Sequence, residues 1–158
     1  MNSIRSYLIS VVTGSLASLS IVGVASADVS PPQIEETERL RDTISVTVYR
    51  PDLFCETLLP ETVDVPTTAP LEGAVGHILK DWAQGEFRIA GYRTARDNAT
   101  GTVTIDLRVA PDAPRQWTAL STCEQFALFG SLRTTLMQNT ALQTNDVLFT
   151  SQGEALEF

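Results

Sequence analysis

The sequence predicts a two-layer α+β domain: a mixed or antiparallel sheet of about five strands with two helices packed on one face. Three observations predict it. The stretch Thr102 to Val109 alternates without a break, with Val103, Ile105, Leu107 and Val109 on one side and Thr102, Thr104, Asp106 and Arg108 on the other. A strand with one polar face belongs to a sheet covered on one side only. Two stretches have helical spacing, and the order strand, strand, helix, strand, strand, helix, strand groups the helices on the apolar side.

The elements follow in order. Ile44, Val46 and Val48 alternate with Ser45, Thr47 and Tyr49, which predicts a first strand ended by Arg50-Pro51-Asp52. Leu53 to Glu56 is a loop carrying Cys55. Thr57 to Val65 is a second strand, and Pro60 suits it to an edge because proline has no N–H for the ladder. Leu71, Val75, Ile78, Leu79 and Trp82 then predict a helix that stops by Gly85. Gly73 and Gly76 weaken it by about 1 kcal/mol each relative to alanine, so packing must hold it.

Phe87 to Thr94 contains a third strand, and Asp97 to Gly101 is a turn into the fourth. Ser121 and Glu124 form a capping box, so the second helix begins near Thr122. Cys123, Phe126, Ala127, Gly130, Thr134 and Met137 recur at spacings of three and four, which predicts a packed stripe of small residues. Thr144-Asn145-Asp146 is a turn, and Val147 to Thr150 reads as a buried strand.

At 158 residues the chain holds one domain and an export segment. Arg5, the apolar run Tyr7 to Val24 and the small-residue site Ala25-Ser26-Ala27 predict a signal peptide over residues 1–27, with an uncleaved membrane anchor as the alternative. Residues 28–42, with Pro31-Pro32 and several charges, read as a flexible linker, and 43–158 as the domain. Cleavage removes Arg5 and no acid, so 11 basic residues become 10 against 19 acidic, and the net charge moves from −8 to −9. Such a surface repels nucleic acid and anionic lipid.

In an exported chain, the pair Cys55 and Cys123 predicts a disulfide, worth about 4 kcal/mol by chain entropy. The alternatives are a redox thiol at Cys123 or two free thiols.

The chemistry needed for catalysis is thin. His77 is the one histidine, lies off the apolar stripe of its helix and is expected to face solvent, with no serine or cysteine placed beside it. Two cysteines and one histidine match no metal-clip spacing. Asp97, Asn98 and Asp106 are explained by a turn and a solvated strand face, and no calcium loop or phosphate loop is present. No catalytic, cofactor or metal residue is therefore assigned. Trp82, Trp117, Tyr49, Tyr92 and Phe87 would form a carbohydrate platform if exposed together; Trp82 is read as core, and Trp117 as either a hydrophobic staple or a surface contact.

The order of the pieces VTVYRPD, PLEGAVGHILKDW, TVTIDLR and LRTTLMQNTALQTNDVLFTSQGEAL resembles the GerMN (sporulation and spore germination) domain family, in particular its stand-alone cyanobacterial members. The resemblance runs from about Ile44 to Glu157. It implies a fold like the ring-building motifs and an extracytoplasmic, non-enzymatic domain that contacts envelope proteins or itself. The chain has one such domain where the spore-forming version has two. The expected contact surface is the polar sheet face, Thr104, Asp106 and Arg108, with Trp117. A small-ligand or cell-wall glycan domain is the second class, and an acid-pair hydrolase the third.

Overall fold

The computed structural model describes residues 42–157, all within one compact unit. The expected signal peptide, and the expected linker apart from Asp42, lie outside the described residues. Two strands, β1 (Thr43–Pro51) and β2 (Leu58–Pro66), are followed by helix α1 (Pro70–Leu79) and a 3₁₀ turn at Lys80–Trp82. Next come β3 (Ile89–Asp97) and β4 (Thr102–Val109). The second helix, α2, runs without interruption through Thr122–Gln125, a wider π turn at Phe126–Gly130, and Ser131–Gln138. Strand β5 (Asp146–Ser151) and a short β6 (Glu154–Ala155) close the chain.

The class is α+β, as expected, and the strands divide between two sheets. β1 and β2 form an antiparallel hairpin, Thr43 opposite Pro66 and Pro51 opposite Leu58. The other sheet has the order β3-β4-β5-β6; β4 and β5 are parallel, with α2 as the crossover, and the other pairs are antiparallel. The hairpin stays apart because the free edge of β1 is already used. Asn139 Oδ1 accepts from the Thr47 N–H and Thr135 Oγ1 from the Tyr49 N–H, both at 2.9 Å, and Asn139 Nδ2 donates to the Thr47 carbonyl at 2.7 Å. Helix side chains satisfy groups that another strand would otherwise pair.

One core unites the parts. Val103, Ile105 and Leu107 of β4 are fully buried and share a cluster with Val46 and Val48 of β1, Val75 and Ile78 of α1, and Leu128, Leu132 and Leu136 of α2. Val147 and Phe149 of β5 join it, while Leu148 between them is half exposed. β5 is therefore buried on one face, not both, because no described element covers the outer side of this sheet. The two glycines of α1 have a packing reason. A Cβ on Gly73 would stand 2.8 Å from the Val65 Cβ, and one on Gly76 would stand 2.8 Å from the Tyr92 hydroxyl oxygen.

The stripe expected on α2 is corrected. Burial falls on Leu128, Phe129, Leu132, Thr135 and Leu136, whereas Cys123 and Met137 are exposed. Leu128, Leu132 and Leu136 at four-residue spacing, with Phe129 beside them, remove more apolar area from water than Gly130 or Thr134 could, so they decide which side of the helix faces in.

Candidate functional site

Alternation along β4 puts Thr104, Asp106 and Arg108 on the uncovered face of the four-stranded sheet. The register sets Ala95 and Leu148 on either side of Thr104, and Arg93 and Thr150 on either side of Asp106. Asp106 Oδ1 accepts the Gln152 N–H at 2.9 Å and so ties the turn after β5 to this face. Arg93, Asp106, Arg108 and Gln152 line a shallow concavity of about 630 Å³. Neither Arg93 nor Arg108 forms an ion pair with another described residue, which leaves a locally positive spot on an acidic chain.

Trp117 lies elsewhere, in a row of rings. Successive centroids from Trp82 through Phe87, Trp117 and Phe129 to Phe149 are 5.9, 5.2, 6.1 and 4.9 Å apart. Its indole N–H donates to Ser151 Oγ at 3.1 Å. Trp117 is half-buried against the core, as are Trp82 and Tyr92, and Phe87 is buried, so the five candidate platform rings are not exposed together. Burial raises the pKa of Tyr92, whose hydroxyl donates to the Glu72 carbonyl.

The tip of the β1–β2 hairpin is a feature that sequence reading passed over as a loop. Leu53 is 97% and Phe54 79% exposed, an unusual position for two adjacent large apolar side chains. The tip is nonetheless held firmly. Asp52 Oδ1 accepts the N–H groups of Phe54 and Glu56, its Oδ2 accepts the Thr57 hydroxyl, and its own N–H donates to the Thr57 carbonyl. Those donors, the Glu56 N–H foremost, hold the Asp52 carboxyl below its usual pKa. Cys55, at φ 56°, is bonded to Cys123 in the first turn of α2, with the Cα atoms 5.4 Å apart. The signal that would have found this tip is an apolar pair set between an aspartate and a bonded cysteine, outside any alternating pattern.

The capping box of α2 is fully formed. Ser121 Oγ accepts the Glu124 N–H at 3.3 Å, and Glu124 Oε2 accepts the Ser121 N–H at 2.8 Å. Arg115 grips the same carboxylate with two N–H groups, each at 2.7 Å. With Arg115 as the main cause and the Ser121 N–H next, Glu124 is held down to about 2.

His77 is half-buried and not fully solvent-facing, because the side chains of Arg50 and Lys80 lie against its turn. Arg50 Nη2 donates to the His77 carbonyl at 3.4 Å, and Lys80 Nζ is 3.3 Å from His77 Nε2. Burial and the Lys80 charge lower its pKa, so the ring is neutral at neutral pH. No described serine or cysteine hydrogen-bonds to it. Asp97 serves its turn by accepting the Ala99 N–H, which with the Thr100 hydroxyl keeps it ionised. Among the described residues no group of three or more His, Cys, Asp or Glu side chains is arranged to hold a metal ion.

A second concavity, of about 510 Å³, lies between the end of α1, the 83–87 segment and α2. Arg50, Trp82, Glu86, Phe87, Arg115 and Ser131 line it, among others.

Among solved structures, the chain is similar to the tandem GerMN domains of the sporulation protein GerM from Bacillus subtilis, with a TM-score of 0.49 and 14% sequence identity. The likeness covers 72% of this chain, which spans about two-fifths (41%) of that one. No family model and no curated protein matches the chain.

Proposed function

We propose that this chain is an exported, non-enzymatic protein-interaction domain of the bacterial cell envelope. The observation that carries the reading is the hairpin tip. Leu53 and Phe54 stand in solvent on a loop fixed by a disulfide and by the Asp52 hydrogen bonds. Burying each in a partner removes apolar area worth about 1.5–3 kcal/mol, and a loop already ordered loses little entropy on docking. Asp52 and Glu56 flank the pair, so the partner is a protein with an apolar pocket and a basic rim. An anionic lipid surface fits poorly with these acids and with the net negative chain. The outer sheet face, Thr104, Asp106 and Arg108 with Arg93 and Leu148, supplies a second contact area for carboxylates and a small apolar group.

The test is cross-linking in intact cells followed by capture of the tagged mature protein, alongside the double variants Leu53→Ser/Phe54→Ser and Arg93→Glu/Arg108→Glu. The expected result is a reproducible set of envelope proteins, or the protein itself at higher stoichiometry, depleted about tenfold by the tip variant. Equal recovery with wild type and both folded variants overturns the reading.

A further inference from the structure

We propose that the concavity between α1 and α2 is a binding site for a short neutral saccharide, with Trp82 as its stacking platform. This is independent of the protein-interaction reading, since it uses other residues.

Three features lead there. The first is Ser131, which lies in the lining, is 1% exposed and has a hydroxyl with no hydrogen-bond partner among the described residues. A buried hydroxyl left without a partner is rare, and a ligand group or a water held beneath a ligand would supply one. It follows directly on the π turn of α2, a distortion found disproportionately at functional sites.

The second feature is charge. Both guanidinium groups in the lining are already taken: Arg50 pairs with Glu61 and Asp81, and Arg115 holds Glu124 with two N–H groups. Asp81, Glu86 and Glu124 also line the site, so carboxylates outnumber guanidiniums three to two. A free anion would have to displace a carboxylate. Hydroxyl groups fit without displacement, because each can donate to a carboxylate oxygen and accept from a remaining guanidinium N–H.

The third feature is the apolar wall. Trp82 and Phe87 meet edge to face at 88°, beside Ile78 and Ala127. A pyranose presents one face of C–H groups to such a ring and its hydroxyl rim to polar neighbours. The volume of about 510 Å³ is in the range of clefts that bind small ligands. An N-acetylated hexosamine adds a methyl group suited to the partly exposed Ala127 on this wall.

The experiment is an NMR titration of the mature, disulfide-bonded protein with the trimer of N-acetylglucosamine, with a sulfated saccharide of equal length as comparator. The expected result is saturable shifts of the Trp82 indole N–H and the amides of Gln84, Phe87 and Ser131, at low millimolar ligand. Trp82→Ala should weaken binding about tenfold, and Ser131→Ala about threefold. Glu86 is exposed, so Glu86→Lys tests the rim without touching the core; it should also weaken binding. The wild-type shift map decides even if Trp82→Ala fails to fold. Absence of saturable shifts, shifts centred away from Trp82, or preference for the sulfated saccharide would each overturn the proposal.

Discussion

The hairpin and the four-stranded sheet are held in place by different means. In the sheet, Val103, Ile105 and Leu107 are fully buried, and the position of β4 follows from apolar packing along the whole of its inner face. The hairpin contributes Val46, Val48 and Val65 to the same core, yet its free edge and its tip are set by a few named groups: Asn139, Thr135, Asp52 and the Cys55–Cys123 bond. The difference teaches where function can be tuned. The sheet is a rigid floor, while the hairpin carries its exposed apolar pair on contacts that can be removed one at a time.

The largest effect should come from the floor. Leu107→Ala is expected to cost about 2–5 kcal/mol, as for other fully buried leucines, read as a lower denaturant midpoint. The double variant Cys55→Ser/Cys123→Ser should lose up to about 4 kcal/mol in the chain-entropy model for a separation of 68 residues. Its amide exchange should quicken at residues 52–57 and hardly at all in β4, which is how it sharpens the comparison. Asn139→Ala leaves the Thr47 N–H and carbonyl without partners at the edge of β1 and should cost about 1–3 kcal/mol. Exchange should then quicken along β1 before the four-stranded sheet is affected.

The smallest effect is electrostatic. The carboxyl of Glu124 is held down to about 2, below its ordinary value of 4.5, so the unfolded chain binds its proton first as pH falls. Its contribution is therefore complete above about pH 5 and fades as pH falls toward 2. The side chain is 29% exposed, which limits the contribution to about 1 kcal/mol. Glu124→Gln should lower stability by that amount at pH 7 and reduce the slope of stability against pH between 5 and 2, measured by urea unfolding.

Much of the fold was legible in the sequence where a local rule dominated. The β4 boundaries, Thr102 to Val109, followed from alternation alone, and Ser121 with Glu124 fixed the start of α2. Which side of α2 faces inward was not legible from spacing, because two stripes at the same period competed and the leucine stripe buries more area. The division into two sheets was hidden for another reason. It depends on Asn139 and Thr135 meeting Thr47 and Tyr49, some 90 residues away in the chain, and no local pattern encodes that meeting.

The sheet-face residues were legible as a group because they share one strand. Leu53 and Phe54 were not, since a two-residue apolar run in a loop ordinarily folds back into a core. Their exposure follows from the Asp52 hydrogen bonds and the disulfide, which point the tip outward.

The most direct measurement is site-specific photo-crosslinking in intact cells, with the photoreactive residue at position 54, at 104, or at Thr62 on the exposed side of β2. Discrete adducts from 54, weaker ones from 104 and none from 62 are the predicted result. Adducts of equal strength from all three positions, or from 62 alone, would contradict a contact surface built on the hairpin tip.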